Sequence, residues 1–286
     1  MTNRTTTVAP KLDLARIHQH VRPGKPIVIV ITTDKGGSGK TTTAINLANE
    51  LAKGDELTRG EPTLLGDLDP RGDCATSLGM NPEPGILNFT ISRQPARACI
   101  RQTPYPNHDL LPSDNTTEGV LAFLEKVPAQ VTATTQTFVN LFAEQRYTWI
   151  VVDAPPNAGA LRRILCELAD IVIIPCKTEL LGLEEVDALM QALPERSAKV
   201  ILPVMHLPEL ANRAVLERMA GWWPDNLVPL QAGTDATLEQ QWLNVPSMAV
   251  VRQASLMRQP LGQYAPNDRP TLAYAALASA IRFIAG

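Results

Sequence analysis

A glycine-rich loop between an apolar run and a helix-forming segment constrains the fold of this chain more than any other feature. The run Ile27–Ile31 is β-branched at every position, and Thr43–Leu51 has the composition of a helix. A strand, a glycine loop and a helix in this order form a phosphate-binding loop, whose backbone N–H groups and helix N-terminus surround a phosphate. Lys40 is expected to reach the β- and γ-phosphates of a nucleotide, and the Thr41 hydroxyl is expected to bind Mg²⁺. The predicted nucleotide-binding residues of this loop are Lys35, Gly36, Gly37, Ser38, Gly39, Lys40, Thr41 and Thr42.

The loop carries a second lysine, five residues before Lys40. Lys35 stands where such a loop faces outward, so it is more useful to the nucleotide of a neighbouring subunit than to the chain's own. The doubled lysine matches KGGxGKTT, the deviant Walker A form, and through it the chain resembles the ParA/MinD family of P-loop ATPases. The resemblance covers most of residues 26–285. It implies an ATP-dependent homodimer, ATP and Mg²⁺ as cofactors, and Lys35, Lys40 and Asp69 as catalytic residues.

Two aspartates follow the next strand-like run. Asp67 and Asp69 lie in a segment similar to the family's DxDPQGNAT motif, with Arg71 and Asp73 in place of its Gln and Asn. Because open α/β sheets bind ligands at the carboxyl ends of their strands, these aspartates are expected beside the phosphate loop. The resemblance implies that Asp69 orients or polarises the attacking water and that Asp67 supports the magnesium shell.

A further apolar run, 149–152, ends in Asp153 in the manner of a Walker B motif. Mg²⁺ usually keeps several waters, so Asp153 is expected to bind a metal-coordinated water rather than the metal itself. The predicted metal site comprises Thr41, Asp67 and Asp153. Residues 153–157 (DAPPN) differ from the family's DTPPS pattern at Ala154 and Asn157. The proline pair is expected to stiffen a loop that senses the γ-phosphate.

Adenine recognition departs from the family pattern in this chain. The family often places an asparagine after the strand equivalent to 199–202, and this chain has 203–206 (PVMH) there. Residues 249–253 resemble the family's final strand and purine-side loop, which makes Arg252 a candidate nucleotide contact. We expect ATP to be held there mainly by backbone groups and apolar packing.

Short apolar runs alternate with helical segments along the chain. Because the runs lack polar alternation, they are typical of strands buried on both faces of a parallel sheet. The alternation predicts an α/β fold, a doubly wound, mostly parallel sheet flanked by helices. Proline-rich residues 80–112 are predicted to form an irregular surface excursion. Strands are predicted at 63–67, 148–153, 170–175 and 199–202, and helices at 179–193, 208–220 and 270–285.

The first 25 residues differ in composition from the rest, with five basic residues against one acidic residue. We predict a basic N-terminal arm over 1–25, with a short helix that packs on the body or touches DNA or the partner subunit. Residues 26–286 are predicted to form the ATPase domain. With 286 residues, 44% of them hydrophobic and 19% charged, and a net charge of −3, the chain is predicted to be soluble and globular.

The four cysteines, at positions 74, 99, 166 and 176, show no CxxC spacing and are expected to be reduced thiols. Their positions argue against nitrogenase iron-protein relatives, which need paired cysteines near Asp153. A single phosphate loop argues against arsenite-pump ATPases, which join two such domains. No signal peptide and no apolar run of ~20 residues is present, so a cytoplasmic, nucleoid-associated protein is expected.

The resemblance also implies what the ATPase acts upon. ParA-type proteins bind double-stranded DNA non-specifically and are discharged by a centromere-binding, ParB-like adaptor. The alternative is a MinD-like membrane-associated positioning ATPase, and a non-catalytic nucleotide-dependent scaffold is a third possibility. A membrane-surface helix carries a basic face, whereas the tail 270–286 is alanine-rich with one arginine, so no membrane partner is expected. The candidate DNA contacts are Arg213, Arg218, Arg252 and Arg258.

Overall fold

The computed structural model describes residues 24–54, 59–155, 159–230 and 236–285. The predicted basic arm, 1–25, lies outside the described residues except for its last two positions. The strands of the described part are β1 (Ile27–Ile31), β2 (Thr63–Asp67), β3 (Arg101–Gln102), β4 (His108–Leu111), β5 (Trp149–Asp153), β6 (Ile171–Lys177), β7 (Ala198–His206) and β8 (Val245–Pro246).

These strands form one sheet in the order β3-β4-β2-β5-β1-β6-β7-β8. Within the described residues every strand pairing is parallel except the antiparallel pairing of β3 with β4. The chain therefore has the predicted doubly wound α/β sheet. The helices are α1 (Lys40–Lys53), α2 (Asp73–Ser77), α3 (Gly85–Thr90), α4 (Ala96–Cys99), α5 (Thr117–Lys126), α6 (Pro128–Leu141), α7 (Gly159–Leu168), α8 (Leu180–Ala192), α9 (Leu210–Trp222), α10 (Leu238–Gln241), α11 (Ala249–Leu256), α12 (Leu261–Tyr264) and α13 (Arg269–Ala285), with a 3₁₀ turn at Pro224–Asn226.

Both faces of the sheet are covered, which explains the unbroken apolar runs. Ile29 and Ile31 of β1 pack into a core with α1 and α13. Val28 and Val30 of the same strand pack into a second core with α5, α6 and α7. All five residues of β1 are buried. Successive side chains of a strand point to opposite faces, so a strand between two helical layers must be apolar at every position.

The C-terminal helix α13 is bonded to the helix that follows the phosphate loop. The hydroxyls of Thr43 on α1 and Tyr274 on α13 lie 3.3 Å apart. At the other end of α1, Arg282 Nη2 donates to the carbonyl oxygens of Glu50 and Leu51 at 3.0 and 2.9 Å. These carbonyls belong to the last turn of α1, and they also accept the backbone N–H groups of Gly54 at 3.2 Å and Glu61 at 3.4 Å, respectively. Helix α13 thus fixes the position of α1 beneath the nucleotide site.

Two sequence-based expectations about local structure were wrong. Residues 80–112 contain α3, α4, β3 and β4 rather than an irregular excursion, and β4 is buried throughout and parallel to β2. Its sequence, His-Asp-Leu-Leu, has no β-branched residue, so the strand owes its conformation to pairing with β2. Residues 249–253, expected as a final strand, begin helix α11, in which Val250 and Ala254 are buried four residues apart.

The described helices are too short or too polar to span a bilayer. The four cysteines are buried and free of disulfides, as expected.

Candidate functional site

The phosphate loop closes around one of its own carbonyl groups. Lys40 is the first residue of α1 and is buried, and its Nζ donates to the carbonyl oxygen of Lys35 at 2.9 Å. The Ser38 hydroxyl donates to the same oxygen at 3.0 Å. Gly37 and Gly39 have φ of 71° and 87°, values that residues with a Cβ rarely adopt. The loop therefore has the geometry predicted for a phosphate cradle, with the amine of Lys40 inside it.

The sheet register places two carboxylates next to this loop. Asp67 at the end of β2 pairs with Asp153 at the end of β5, and Asp153 also pairs with Ile31, the last residue before the loop. Both aspartates are fully buried. Burial raises the pKa of Asp153 to about 7 and that of Asp67 well above its usual value. Two buried carboxyl groups therefore lie together, and a cation bound beside them would favour their charged forms.

The donor set around these carboxylates fits Mg²⁺. One oxygen of Asp153, Oδ1, has no hydrogen-bond partner among the described residues. Ligand atoms of Asp67, Cys74 and Asp153 lie within 4.8 Å of one another, and Cys74 Sγ lies 3.7 Å from Asp153 Oδ2. Mg²⁺ prefers oxygen ligands, so the carboxylates and the hydroxyl of Thr41, which follows Lys40, suit it and the thiol does not. The oxygens of Thr41, Asp67 and Asp153, the residues that the sequence proposes for the metal, are the ones that could hold it.

Asp69 follows the last residue of β2 by two positions and is almost fully buried. Its backbone N–H donates to Asp67 Oδ1 at 3.1 Å, which fixes the path of the chain between the two aspartates. Burial lowers the pKa of Lys40, and the charges of Asp153 and Asp69 oppose that effect. Asp69 is thus close enough to influence the amine of the phosphate loop. Asp69 therefore lies near the phosphate loop, where the sequence placed it.

Lys35 lies on the outer side of the loop, with 38% of its side chain exposed. Its Nζ is 3.6 Å from Oε1 of Glu185 on α8. The preceding residue, Asp34, forms an ion pair with Arg162 on α7. Sequence reasoning did not identify Glu185 or Arg162, because both are distant along the chain and neither belongs to a motif. Two helices therefore hold the outer edge of the loop through opposite charges.

A cavity of about 270 Å³ lies beside the loop, on the side of β7 and β8. Gly39, Thr42, Met205, Met248 and Arg252 are among the residues that line it. Met205 has φ of 52° at an irregularity in the pairing of β7 with β8. The wall of the cavity is largely apolar. Arg252, the residue that the sequence proposes as a nucleotide contact, is part of it. The volume is near the lower end of small-molecule pockets.

The four arginines proposed for DNA lie in two places. Arg213 and Arg218 are exposed on α9, while Arg252 lies on α11 and Arg258 two residues beyond its end. Arg213 Nε is 2.6 Å from Glu239 Oε1, so its charge is already paired. Of the four, Arg213 thus has an acidic partner on a neighbouring helix.

The comparison with known proteins agrees with these motifs. The family model AAA_31, described as an AAA domain, matches residues 27–200. The match covers more than half of the chain and includes the phosphate loop and both carboxylate motifs. The chain belongs to this family.

Its sequence relatives carry partition names. The chromosome partitioning protein ParA of Caulobacter vibrioides is 31% identical over 169 residues, which cover 58% of this chain and 61% of that protein. This chain thus matches less than two thirds of the Caulobacter relative's length. The chromosome-partitioning ATPase Soj of Thermus thermophilus is 27% identical over 259 residues, which cover 88% of this chain and 94% of that protein. The predicted resemblance to ParA-type P-loop ATPases is confirmed.

The fold has close structural relatives as well. A Borrelia burgdorferi protein described as a plasmid partition protein, solved with bound AMPPNP, matches with a TM-score of 0.70. The two are 19% identical, and the match covers 91% of this chain and 99% of that protein. This likeness confirms the P-loop ATPase fold of the family member described here.

Proposed function

We propose that this family member is an ATP-driven partition ATPase that pairs on Mg-ATP, binds double-stranded DNA non-specifically and is discharged by a centromere- or cargo-bound, ParB-like adaptor. The observation that carries the proposal is the pair of lysines on one loop. Lys40 is buried inside the phosphate loop, whereas the side chain of Lys35 lies on its outer side, about one third exposed and paired with Glu185. A cation in that outer position supports a role toward the nucleotide of a second subunit.

The side chains of the site suit phosphoryl transfer, which depends mainly on positioning and on stabilising charge. Lys40 binds the terminal phosphates in place of the Lys35 carbonyl that it now contacts. Thr41 and Asp67 would hold Mg²⁺, with Asp153 bound to one of its coordinated waters, and the ion would neutralise phosphate charge. Asp69 orients the attacking water. Arg252 and the apolar wall of the cavity beside Gly39 hold the purine.

DNA binding in this proposal uses the exposed arginines of the C-terminal third. Arg218, Arg252 and Arg258 are the stronger candidates, because the guanidinium of Arg213 is paired with Glu239. The N-terminal arm, 1–25, is a further candidate. A dimer doubles the number of these basic residues and offers on the order of four to eight phosphate contacts. The affinity for DNA therefore depends strongly on salt.

The test compares DNA and membrane binding of the full chain under the same conditions. We expect a fluorescent duplex of arbitrary sequence to bind only with ATP and Mg²⁺, with a slope of log affinity against log salt of roughly −0.9 per neutralised phosphate. Lys35→Ala is expected to bind ATP but not DNA, since it cannot pair. Lys126→Ala, which removes an exposed lysine at the end of α5, is the matched control and is expected to behave like wild type.

Two results would reject the proposal. One is DNA binding that ignores ATP. The other is capture of anionic liposomes in preference to DNA, which would favour the MinD-like alternative. Deleting residues 1–22 reports on the arm separately, because the salt slope falls only if the arm contacts phosphates.

A further inference from the structure

The turn after β2 places one arginine over the carboxylate of Asp69. The backbone N–H of Arg71 donates to Asp69 Oδ1 at 3.0 Å, its Nε donates to the same oxygen at 3.2 Å, and its Nη2 donates to Oδ2 at 3.3 Å. The Asp69 side chain is 4% exposed and that of Arg71 is 64% exposed. Two donors on one rigid guanidinium, one to each oxygen, define the plane of the carboxylate.

These bonds leave Asp69 with little freedom to accept others. A carboxylate offers about four acceptor positions, two on each oxygen. Arg71 fills both positions on Oδ1 and one on Oδ2. Within the described part of the chain, no other group donates a hydrogen bond to this side chain. One position on Oδ2 therefore remains, and it points in a fixed direction.

The pair also borders the phosphate loop. Burial lowers the pKa of Lys40, the charges of Asp153 and Asp69 oppose that effect, and the charge of Arg71 adds to it. Both side chains are thus within electrostatic range of the amine proposed to bind the terminal phosphates. Asp73 Oδ2, 3.4 Å from Arg71 Nε, contacts the guanidinium as well. The arginine is therefore held at the site by two carboxylates.

We propose that Arg71 is a positioning residue for ATP hydrolysis: it holds Asp69 with one Oδ2 position open and so fixes the water that attacks the terminal phosphate. The inference rests on the proposed function. The motif that this segment resembles has glutamine here, whose single amide NH₂ cannot supply a guanidinium fork.

Arg71 takes no part in bond making. In the step that it serves, the water oxygen bonds to the terminal phosphorus and the bond from phosphorus to the ADP oxygen breaks. One water proton stays on the phosphate product and the other is released to solvent.

The test measures single-turnover hydrolysis of saturating Mg-ATP by the full chain, beside the ATP dissociation constant. Arg71→Gln is expected to lower the rate roughly ten- to a hundredfold with unchanged ATP affinity, because positioning is lost and the phosphate cradle is kept. The rate of Arg71→Lys is expected to be lowered nearly as much, since an ammonium group lacks the planar pair of donors of a guanidinium. Arg97→Gln, an exposed arginine on α4, is the matched control and is expected to keep the wild-type rate.

Two further measurements separate positioning from a structural role. Millimolar guanidinium ion is expected to restore part of the rate of Arg71→Ala. In an Asp69→Ala background, Arg71→Gln is expected to cause no further loss, because the arginine acts through that carboxylate.

The outcomes distinguish this inference from the proposed function. If wild type hydrolyses ATP and Arg71→Gln does so equally fast or faster, the positioning role is wrong and the proposed function stands. A loss of ATP affinity with an unchanged rate at saturation would also overturn it. If wild type itself does not hydrolyse ATP, the proposed function fails, and the inference fails with it.

Discussion

Lys35 and Glu185 form an ion pair on the outer side of the phosphate loop, with Nζ 3.6 Å from Oε1. In the proposed dimer, Lys35 has to leave this carboxylate to reach the nucleotide of the second subunit. Both side chains are about one third exposed, and ion pairs of this kind contribute about 0–1 kcal/mol. The pair therefore biases Lys35 toward its own chain without locking it there.

Glu185→Gln is expected to promote ATP-dependent pairing, because it removes the competing carboxylate. The expected effect is modest, up to about fivefold in the dimer dissociation constant, as the energy of an exposed pair allows. Analytical ultracentrifugation with Mg-ATP measures it. Glu184→Gln, an exposed change on the same helix, is the control. Weaker pairing of Glu185→Gln than of this control would show that the carboxylate supports the dimer instead.

Asp69→Ala is expected to bind ATP and to accumulate as a stable dimer, because the phosphate cradle of Lys40 remains while the residue proposed to orient water is lost. Size-exclusion chromatography with Mg-ATP measures the dimer, and Lys40→Ala, which is expected to lose nucleotide affinity, is the reference. An Asp69→Ala protein that binds ATP normally yet stays monomeric would contradict the assignment.

His108 predicts a pH dependence of stability. It is buried on β4, neither ring nitrogen has a hydrogen-bond partner within the described residues, and burial lowers its pKa from 6.5 to about 4. Between these values the unfolded chain binds a proton that the folded chain does not. The contribution of neutral His108 to the free energy of unfolding is complete above pH 6.5. As the pH falls from 6.5 toward 4, the free energy of unfolding decreases by about 3 kcal/mol.

His108→Phe keeps a ring of similar size and removes the titration. Urea denaturation from pH 4 to pH 8 is expected to show a smaller fall in the free energy of unfolding for this variant than for wild type. Measurement at pH 8, where His108 is neutral, separates any packing effect. Equal slopes for the two proteins would contradict the assignment.

Gly72→Ala is expected to destabilise the fold by at least ~2 kcal/mol. Gly72 has φ of 64°, and an added Cβ would lie 2.6 Å from the carbonyl oxygen of Ser113 and 2.8 Å from a Pro82 carbon. Gly119→Ala is the matched control, because its Cβ would meet nothing within 4 Å in helix α5 and should stabilise by about 0.5–1 kcal/mol. Thermal denaturation measures both, and equal melting temperatures would refute the strain argument.

The sequence predicts the fold and the centre of the site well, because both depend on local patterns. The apolar runs of β1, β2 and β5 identify the central strands, and residues at their carboxyl ends must meet at one edge of a parallel sheet. Strand β4 was missed because its conformation comes from pairing with β2. The contacts of Lys35 with Glu185 and of Asp34 with Arg162 were missed because they join segments far apart in the chain. The fork of Arg71 on Asp69 spans only two residues, but its geometry depends on a turn that residue types alone do not specify.

The bonds between α1 and α13 have a consequence for synthesis on the ribosome. The phosphate loop and α1 emerge early, yet Tyr274, which meets the Thr43 hydroxyl, follows 231 residues later. Until then the apolar face of α1 toward α13 has no permanent cover, and the last carbonyls of α1 lack Arg282. A nascent or truncated chain that ends before residue 269 should therefore carry the complete phosphate motif without a firmly placed nucleotide site. We therefore expect firm nucleotide binding only after residues 269–285 have been made and have packed on α1.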